Sequence, residues 1–177
     1  MSKPYYLETE EKLKIRIHAH TQFTTLKLED WLGERLADAA GKQLLEIGCG
    51  DGNYFATYAK AVGPRGRILG WDVTDELLKK AADKGRQTGG PTQVNRWNFD
   101  DHPYPLPEAA VDFVIAPFSA YYSKDVPAWN SDCLRVLRRE GRLLILGPTR
   151  HNAQELYELN YLATGIKSVP ETDETSC

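Results

Sequence analysis

Two carboxylates, Glu46 and Asp72, and the glycine-spaced stretch Gly48-Cys49-Gly50-Asp51-Gly52 between them are the residues of this chain best suited to chemistry. Alternating glycines let a backbone turn sharply and approach a ligand, because no Cβ stands in the way. A dinucleotide fingerprint G-x-G-x-x-G would place its third glycine at position 53, where the chain has Asn53. That fingerprint also aims a helix N-terminus at a pyrophosphate, which the negative charge of Glu46 and Asp51 would repel. A ligand carrying positive charge suits the turn better. Asp72 falls where a carboxylate can accept two hydrogen bonds from ribose hydroxyls; the competing role is a charge at the start of the next helix, with Thr74 as the cap.

The elements that must position these groups follow from periodicity. The apolar run at Gln43–Ile47 reads as a buried parallel strand, and Phe55, Ala59 and Val62 stripe the helix after the turn. Arg67–Asp72 is the second strand, followed by a helix over 75–84 that presents Leu77, Leu78, Ala81 and Ala82. Thr92–Trp97 alternates in the manner of an edge strand, and Val111–Ala116 is the fourth strand. Asp125 caps a helix over 126–139, with Pro127 in its first turn and a stripe of Val126, Trp129, Cys133, Val136 and Leu137. Arg138 and Arg139 complement its end, Gly141 stops it, and Arg142–Leu146 is the fifth strand. Upstream, Leu28, Leu32, Leu36 and Ala39 stripe a helix over 26–40, and Leu13 and Ile17 lie on a charged helix over 8–18. A last helix over 152–163 carries Leu156, Leu159 and Leu162. Strands alternating with helices imply a doubly wound α/β sheet with right-handed crossovers, and ligands bind such sheets beyond the carboxyl ends of the strands.

The segment LLEIGCGDG resembles the first motif of the class I S-adenosylmethionine-dependent methyltransferases of small-molecule type, whose ligand carries a sulfonium, an ammonium and a carboxylate but no phosphate. Residues 98–107, NFDDHPYPLP, resemble that family's G-D-A-E-x-L-P-F-P segment, and LRREGRLLI resembles its L-K-P-G-G-R-L-x-I, with Arg139-Glu140 in place of Pro-Gly. The resemblance covers residues 43–147. It implies a Rossmann-like parallel sheet of order 3-2-1-4-5, S-adenosylmethionine as cofactor, and methyl transfer to a small organic acceptor. Glu46 and the backbone of Gly48, Cys49, Gly50 and Gly52 would hold the methionine part and Asp72 the ribose, with Val73 in the same cofactor set. Asn98, Phe99 and Asp100 would meet the adenine, with Pro117 completing the cofactor set. Asn98 stands where the family has an acid; its amide oxygen can accept the same amino hydrogen, Asp100 is the alternative acceptor, and Phe99 serves either the adenine or the core. The loop Pro117–Tyr122 would face the methyl group, making Phe118, Ser119, Tyr121 and Tyr122 the acceptor-pocket candidates. Tyrosines stand where relatives often carry histidines, and a phenol of pKa ~10 is a poor general base at neutral pH. No catalytic residue is assigned, and no metal is expected.

In domain terms the resemblance implies a helical cap over 1–41, with His18–Phe23 as a candidate lid, a methyltransferase domain over 42–164 and a tail over 165–177. The C-terminal antiparallel hairpin of the family is expected to be missing or incomplete, as in a shortened version of a longer enzyme. The apolar fifth strand would then be covered by a second copy in a homodimer, by the tail, or not at all. The alternative function is a non-catalytic S-adenosylmethionine-binding or partner-docking module.

Composition sets the outer limits. A chain of 177 residues fits one domain. Its 41% apolar residues form no run near the ~18–20 that span a bilayer. A net charge of −3 offers no basic field for nucleic acid, and Cys49, Cys133 and Cys177 lack metal-ligand spacing. The amino terminus has no secretory pattern, so the expected location is cytoplasmic.

Overall fold

Side chains alternating across each strand and recurring every three or four residues on each helix give this chain apolar surfaces that a parallel sheet covered on both faces can bury. The computed structural model describes residues 27–147 and residue 162. In chain order α1 is Leu28–Arg35, β1 Gln43–Ile47, α2 Phe55–Val62, β2 Arg67–Asp72, α3 Asp75–Gln87 and β3 Thr92–Arg96. Then follow β4 at Val111–Pro117, a 3-10 turn at Ala120–Tyr122, α4 at Val126–Val136 and β5 at Leu137–Leu146. The expected helix over 8–18, the His18–Phe23 segment and the region of the hairpin lie outside the described residues. So does the helix over 152–163, apart from Leu162, which is helical and exposed.

Every pair of neighbouring strands is parallel, and the sheet order is β3-β2-β1-β4-β5. This is the doubly wound order implied by the resemblance. β1 is central, with Leu45 beside Leu69 of β2 on one side and Val114 of β4 on the other. The carboxyl ends of β1, β2 and β4 therefore open next to one another.

The two faces of β1 sort the core. Leu44 packs with Leu32, Leu36, Phe55, Tyr58, Val62, Leu78 and Ala81, the buried stripes of α1, α2 and α3. Leu45 and Ile47 point the other way, into a cluster with Leu69, Trp71, Phe99, Tyr104, Trp129, Cys133 and Val136. Each such fully buried side chain contributes roughly 1.5–3 kcal/mol. By contact the chain divides into Met1–Leu146 and Gly147–Cys177, and α1 falls in the first unit, where Leu32, Leu36 and Ala39 are buried in the same core as β1.

Helix α4 departs from its expected stripe. Val126 is exposed, and the buried face includes Asp132 beside Trp129, Cys133 and Val136. The Asp132 carboxylate accepts from the Tyr104 N–H at 2.5 Å and Arg135 Nε at 2.6 Å, and meets His102 Nδ1 at 3.2 Å. Burial opposes its ionisation, but Arg135, the Tyr104 amide and His102 outweigh that and lower its pKa. Arg135 also donates to the carbonyls of Leu106 and Tyr104. This network ties the segment between β3 and β4 down over Trp71, whose ring meets Tyr104 edge-on at 5.2 Å. Asp125 caps α4 as expected, accepting from the Ala128 N–H at 3.0 Å.

The end of α4 is tighter than its sequence suggests. The helix stops at Val136, not 139, and the chain enters β5 at Leu137, with a register irregularity opposite Val111 and Phe113. Arg138 does not complement a helix end; it pairs with Asp112 at 2.6 Å, and Asp112 also accepts from the Gln43 N–H. Glu140, in the place of a family glycine, adopts φ 67°. A left-handed conformation costs an L-residue about 1–2 kcal/mol, part of which glycine returns through its own unfolded-state entropy. Glu140→Gly is therefore expected to stabilise the fold by about 0.5–1 kcal/mol in urea unfolding. A loss of stability would show that the Glu140 side chain compensates the strain.

Candidate active site

The turn after β1 is fastened to the end of β2. The N–H groups of Gly48 and Cys49 both donate to the Trp71 carbonyl, at 2.8 and 2.9 Å. The Gly50 N–H donates to Asp72 Oδ2 at 2.9 Å, and the Thr74 N–H to Asp72 Oδ1 at 2.9 Å. Asp72 thus uses one acceptor site of each oxygen to shape the turn and the start of α3, and keeps lone pairs for a ligand. Thr74 occupies the cap position of α3 without a side-chain capping bond.

Gly48 and Gly50 of this turn have opposite surroundings. At Gly48, with φ 72°, a Cβ would sit 2.4 Å from the Ser119 Cβ, so the loop after β4 closes against bare backbone. At Gly50, with φ 54°, a Cβ would meet nothing within 4 Å, so open space lies above the turn next to Asp72. Cys49 is buried in the core cluster with Phe55, and burial pushes its thiol pKa up, so only its backbone faces the turn.

Glu46 lies beneath. Its side chain is 1% exposed, one oxygen accepts from the Tyr58 hydroxyl at 3.2 Å, and Oε2 finds no partner among the described residues. Burial raises its pKa well above the ordinary carboxylate range, the Tyr58 hydrogen bond works the other way, and Asp72 and Asp51 add to the rise. Tyr58 was not in the stripe read from sequence, which took Ala59 instead; nothing in a residue twelve places on marks it as the partner of a strand glutamate. Lys84, on α3, is a second unforeseen participant, reaching Asp51 at 2.9 Å and Asn53 at 2.6 Å. Asp51 is thereby compensated. Among the described residues the negative character of the site rests on Asp72, with Glu46 a buried acid whose ionisation is opposed, and not on the Glu46–Asp51 pair.

The remaining sequence candidates divide between fold and rim. Asn98 Oδ1 accepts from the Asp100 N–H at 3.1 Å, and Asp100 accepts from Ser123 Oγ at 2.7 Å and from the Lys124 N–H, so both organise the loops beyond β3 and β4. Phe99 is buried in the second core cluster, with its carbonyl accepting from the Tyr104 hydroxyl. Val73 is exposed beside Asp72, and Pro117 closes β4. Ser119 is buried and donates to the Ile47 carbonyl at 2.6 Å, a brace between the ends of β1 and β4. Phe118 takes φ 55°, and its N–H donates to the Leu146 carbonyl. The rings of Tyr121 and Tyr122 lie 4.6 Å apart at the 3-10 turn, with Tyr121 the more exposed.

The arrangement fits a ligand with a diol and a cationic centre: a bare-backbone cradle at Gly50, acceptor capacity on Asp72 and an orphaned buried carboxyl at Glu46. The family described as "Methyltransferase domain" matches residues 45–145. A nocamycin O-methyltransferase of Saccharothrix syringae is 30% identical over 126 residues, covering 71% of this chain and 44% of that protein. The ubiquinone/menaquinone biosynthesis C-methyltransferase UbiE of Pasteurella multocida is 30% identical over 106 residues, covering 60% of this chain and 40% of that protein. The chain thus spans less than half the length of these two relatives. A SAM-dependent methyltransferase from Aquifex aeolicus has the same fold, with TM-score 0.60 and 21% identity over 77% of this chain and 78% of that one. No helix of the described residues is long and apolar enough to cross a membrane.

The buried carboxyl has a signature in stability. With its folded pKa above the unfolded value, Glu46 keeps a proton in the folded protein at pH values where the unfolded chain has lost it. Its contribution is therefore present below the ordinary carboxylate range and lost as pH rises. Glu46→Gln, which cannot ionise, should gain in melting temperature relative to the parent as the pH is raised from 5 to 8. A difference independent of pH would mean that Glu46 is already charged in the folded state.

Proposed function

The chain belongs to the S-adenosylmethionine-dependent methyltransferase family, and from that premise we propose that it transfers a methyl group from S-adenosylmethionine to a small organic acceptor. The observation that carries this is the open space over Gly50, whose N–H donates to Asp72, in a turn that follows the buried Glu46 with one oxygen unpartnered among the described residues. A site with acidic groups at the strand ends, and with Lys84 already spent on Asp51 and Asn53, suits a cationic nucleoside better than a dinucleotide.

When bound, S-adenosylmethionine supplies an activated methyl group for in-line displacement by the acceptor. The protein's share is alignment and exclusion of water. In this proposal Asp72 accepts from the ribose hydroxyls, the Gly48–Gly52 backbone carries the methionine part, and Glu46 provides the charge opposite its ammonium. Asn98, Phe99 and Asp100 border the base. Phe118, Tyr121 and Tyr122 line the acceptor side, while Ser119 fixes their loop to β1 through Ile47. We keep the chain in the cytoplasm, where thiols such as Cys49 and Cys133 stay reduced. A second copy pairing along β5, where Ile145 is exposed, completes the proposal.

S-adenosylhomocysteine should raise the melting temperature, since ~100-fold excess over its dissociation constant stabilises by about 2.7 kcal/mol, whereas NAD should not. Asp72→Ala should weaken binding by about 1.5–3 kcal/mol, the scale of a hydrogen bond to a charged acceptor. A melt shifted by NAD alone, or undiminished affinity in the variant, would overturn the assignment.

A further inference from the structure

The Glu46–Tyr58 pair is built differently from the rest of the site. Asp72 reaches two backbone N–H groups, but Glu46 has a single neutral donor, the Tyr58 hydroxyl, and a second oxygen with no partner among the described residues. Among the described residues the groups that face it offer no positive charge. Tyr58 comes from α2 and Tyr54 from the position before it, Cys49 and Asp51 from the glycine turn, and Asp72 from β2. Lys84 is turned to Asp51 and Asn53. A carboxylate in such surroundings would be a buried charge without a counterion, which costs far more than a neutral acid. Burial also lifts the neighbouring phenols, Tyr54 to about 12 and Tyr58 well above its usual value, so neither titrates in place of Glu46 near neutrality.

We propose that Glu46 is a proton-linked sensor of the ligand's ammonium group: it is a neutral acid when the site is free and gives up its proton when an amino-acid-bearing nucleoside binds. The balance is simple. The Glu46 O–H bond breaks, its proton passes to solvent, and the carboxylate left behind is matched by the incoming ammonium, so the buried region gains no net charge. Tyr58 is the positioning residue, keeping one carboxylate oxygen hydrogen-bonded in both states. This rests on the S-adenosylmethionine reading and adds to it a selection rule: affinity for the amino-acid part falls as the pH drops, while affinity for the nucleoside alone does not.

The test is calorimetry of the full 177-residue chain at pH 7 in buffers of different ionisation enthalpy, with three probes. S-adenosylhomocysteine and its decarboxylated analogue, which keeps the ammonium, should each release about one proton. 5′-Methylthioadenosine, which lacks the amino acid, should release none. Glu46→Gln should abolish the release and weaken S-adenosylhomocysteine about 10- to 100-fold while leaving 5′-methylthioadenosine unchanged. Tyr58→Phe keeps the packed ring; it should retain the proton release and weaken only the ammonium-bearing probes. If Glu46→Gln fails to fold, the three-probe comparison on the parent chain still decides. Binding of S-adenosylhomocysteine without proton release, or equal release by 5′-methylthioadenosine, overturns the inference alone. No binding by any of the three overturns the functional reading with it.

Discussion

A buried carboxyl group at the end of β1, with a tyrosine on one oxygen and no partner on the other among the described residues, constrains what can stand near it. Glu46 must be on the strand because the strand's alternation puts it on the α2 face, between Leu45 and Ile47, which serve the opposite core. The backbone above it must be glycine-rich, since Ser119 presses to within 2.4 Å of where a Gly48 Cβ would be. Ser119 in turn is held by the Ile47 carbonyl, and the Gly50 N–H by Asp72. Three strand ends are thereby locked to one another, β1 to β2 through the Trp71 carbonyl and Asp72 and β1 to β4 through Ser119. Asp72 and Glu46 divide the work: one is braced by N–H donors and ready to accept more, the other is left short of a counter-charge.

Much of this could be read in the sequence. The strand order, the placing of the turn after β1 and of Asp72 at the end of β2, and the Asp125 cap all follow from local pattern together with the family resemblance. What escaped was pairing at long range. Tyr58 looks like one more aromatic on a helix until the fold sets it against Glu46, and Lys84 looks like a solvated lysine until α3 lies beside the turn. Asp132 sits in a stripe that reads as apolar, because two of its partners, Tyr104 and His102, come from a segment 28 and 30 residues earlier. The end of α4 was misjudged for a related reason. Arg138 finds a strand partner in Asp112, so the chain turns into β5 before the helix can use its arginines.

The turn at Gly48–Gly52 is fixed by N–H bonds to the Trp71 carbonyl and the Asp72 carboxylate, and the loop from Phe118 to Tyr122 by the Phe118 N–H on Leu146, the Tyr122 N–H on the Ser119 carbonyl and the Ser119 brace to Ile47. The relatives differ by name, a nocamycin O-methyltransferase and a ubiquinone/menaquinone biosynthesis C-methyltransferase, while the family model matches residues 45–145, which include the turn. Function on this fold resides in the loops grafted onto a common sheet.

The central claim is that the space over Gly50, between Asp72 and Glu46, is where the cofactor lies. A crystal structure with S-adenosylhomocysteine measures this directly. Ribose hydroxyls are expected on the Asp72 carboxylate, and the ammonium over the Gly48–Gly52 turn on the Glu46 side. A ligand bound in reverse, with its ribose away from Asp72, or bound elsewhere on the sheet, would contradict it.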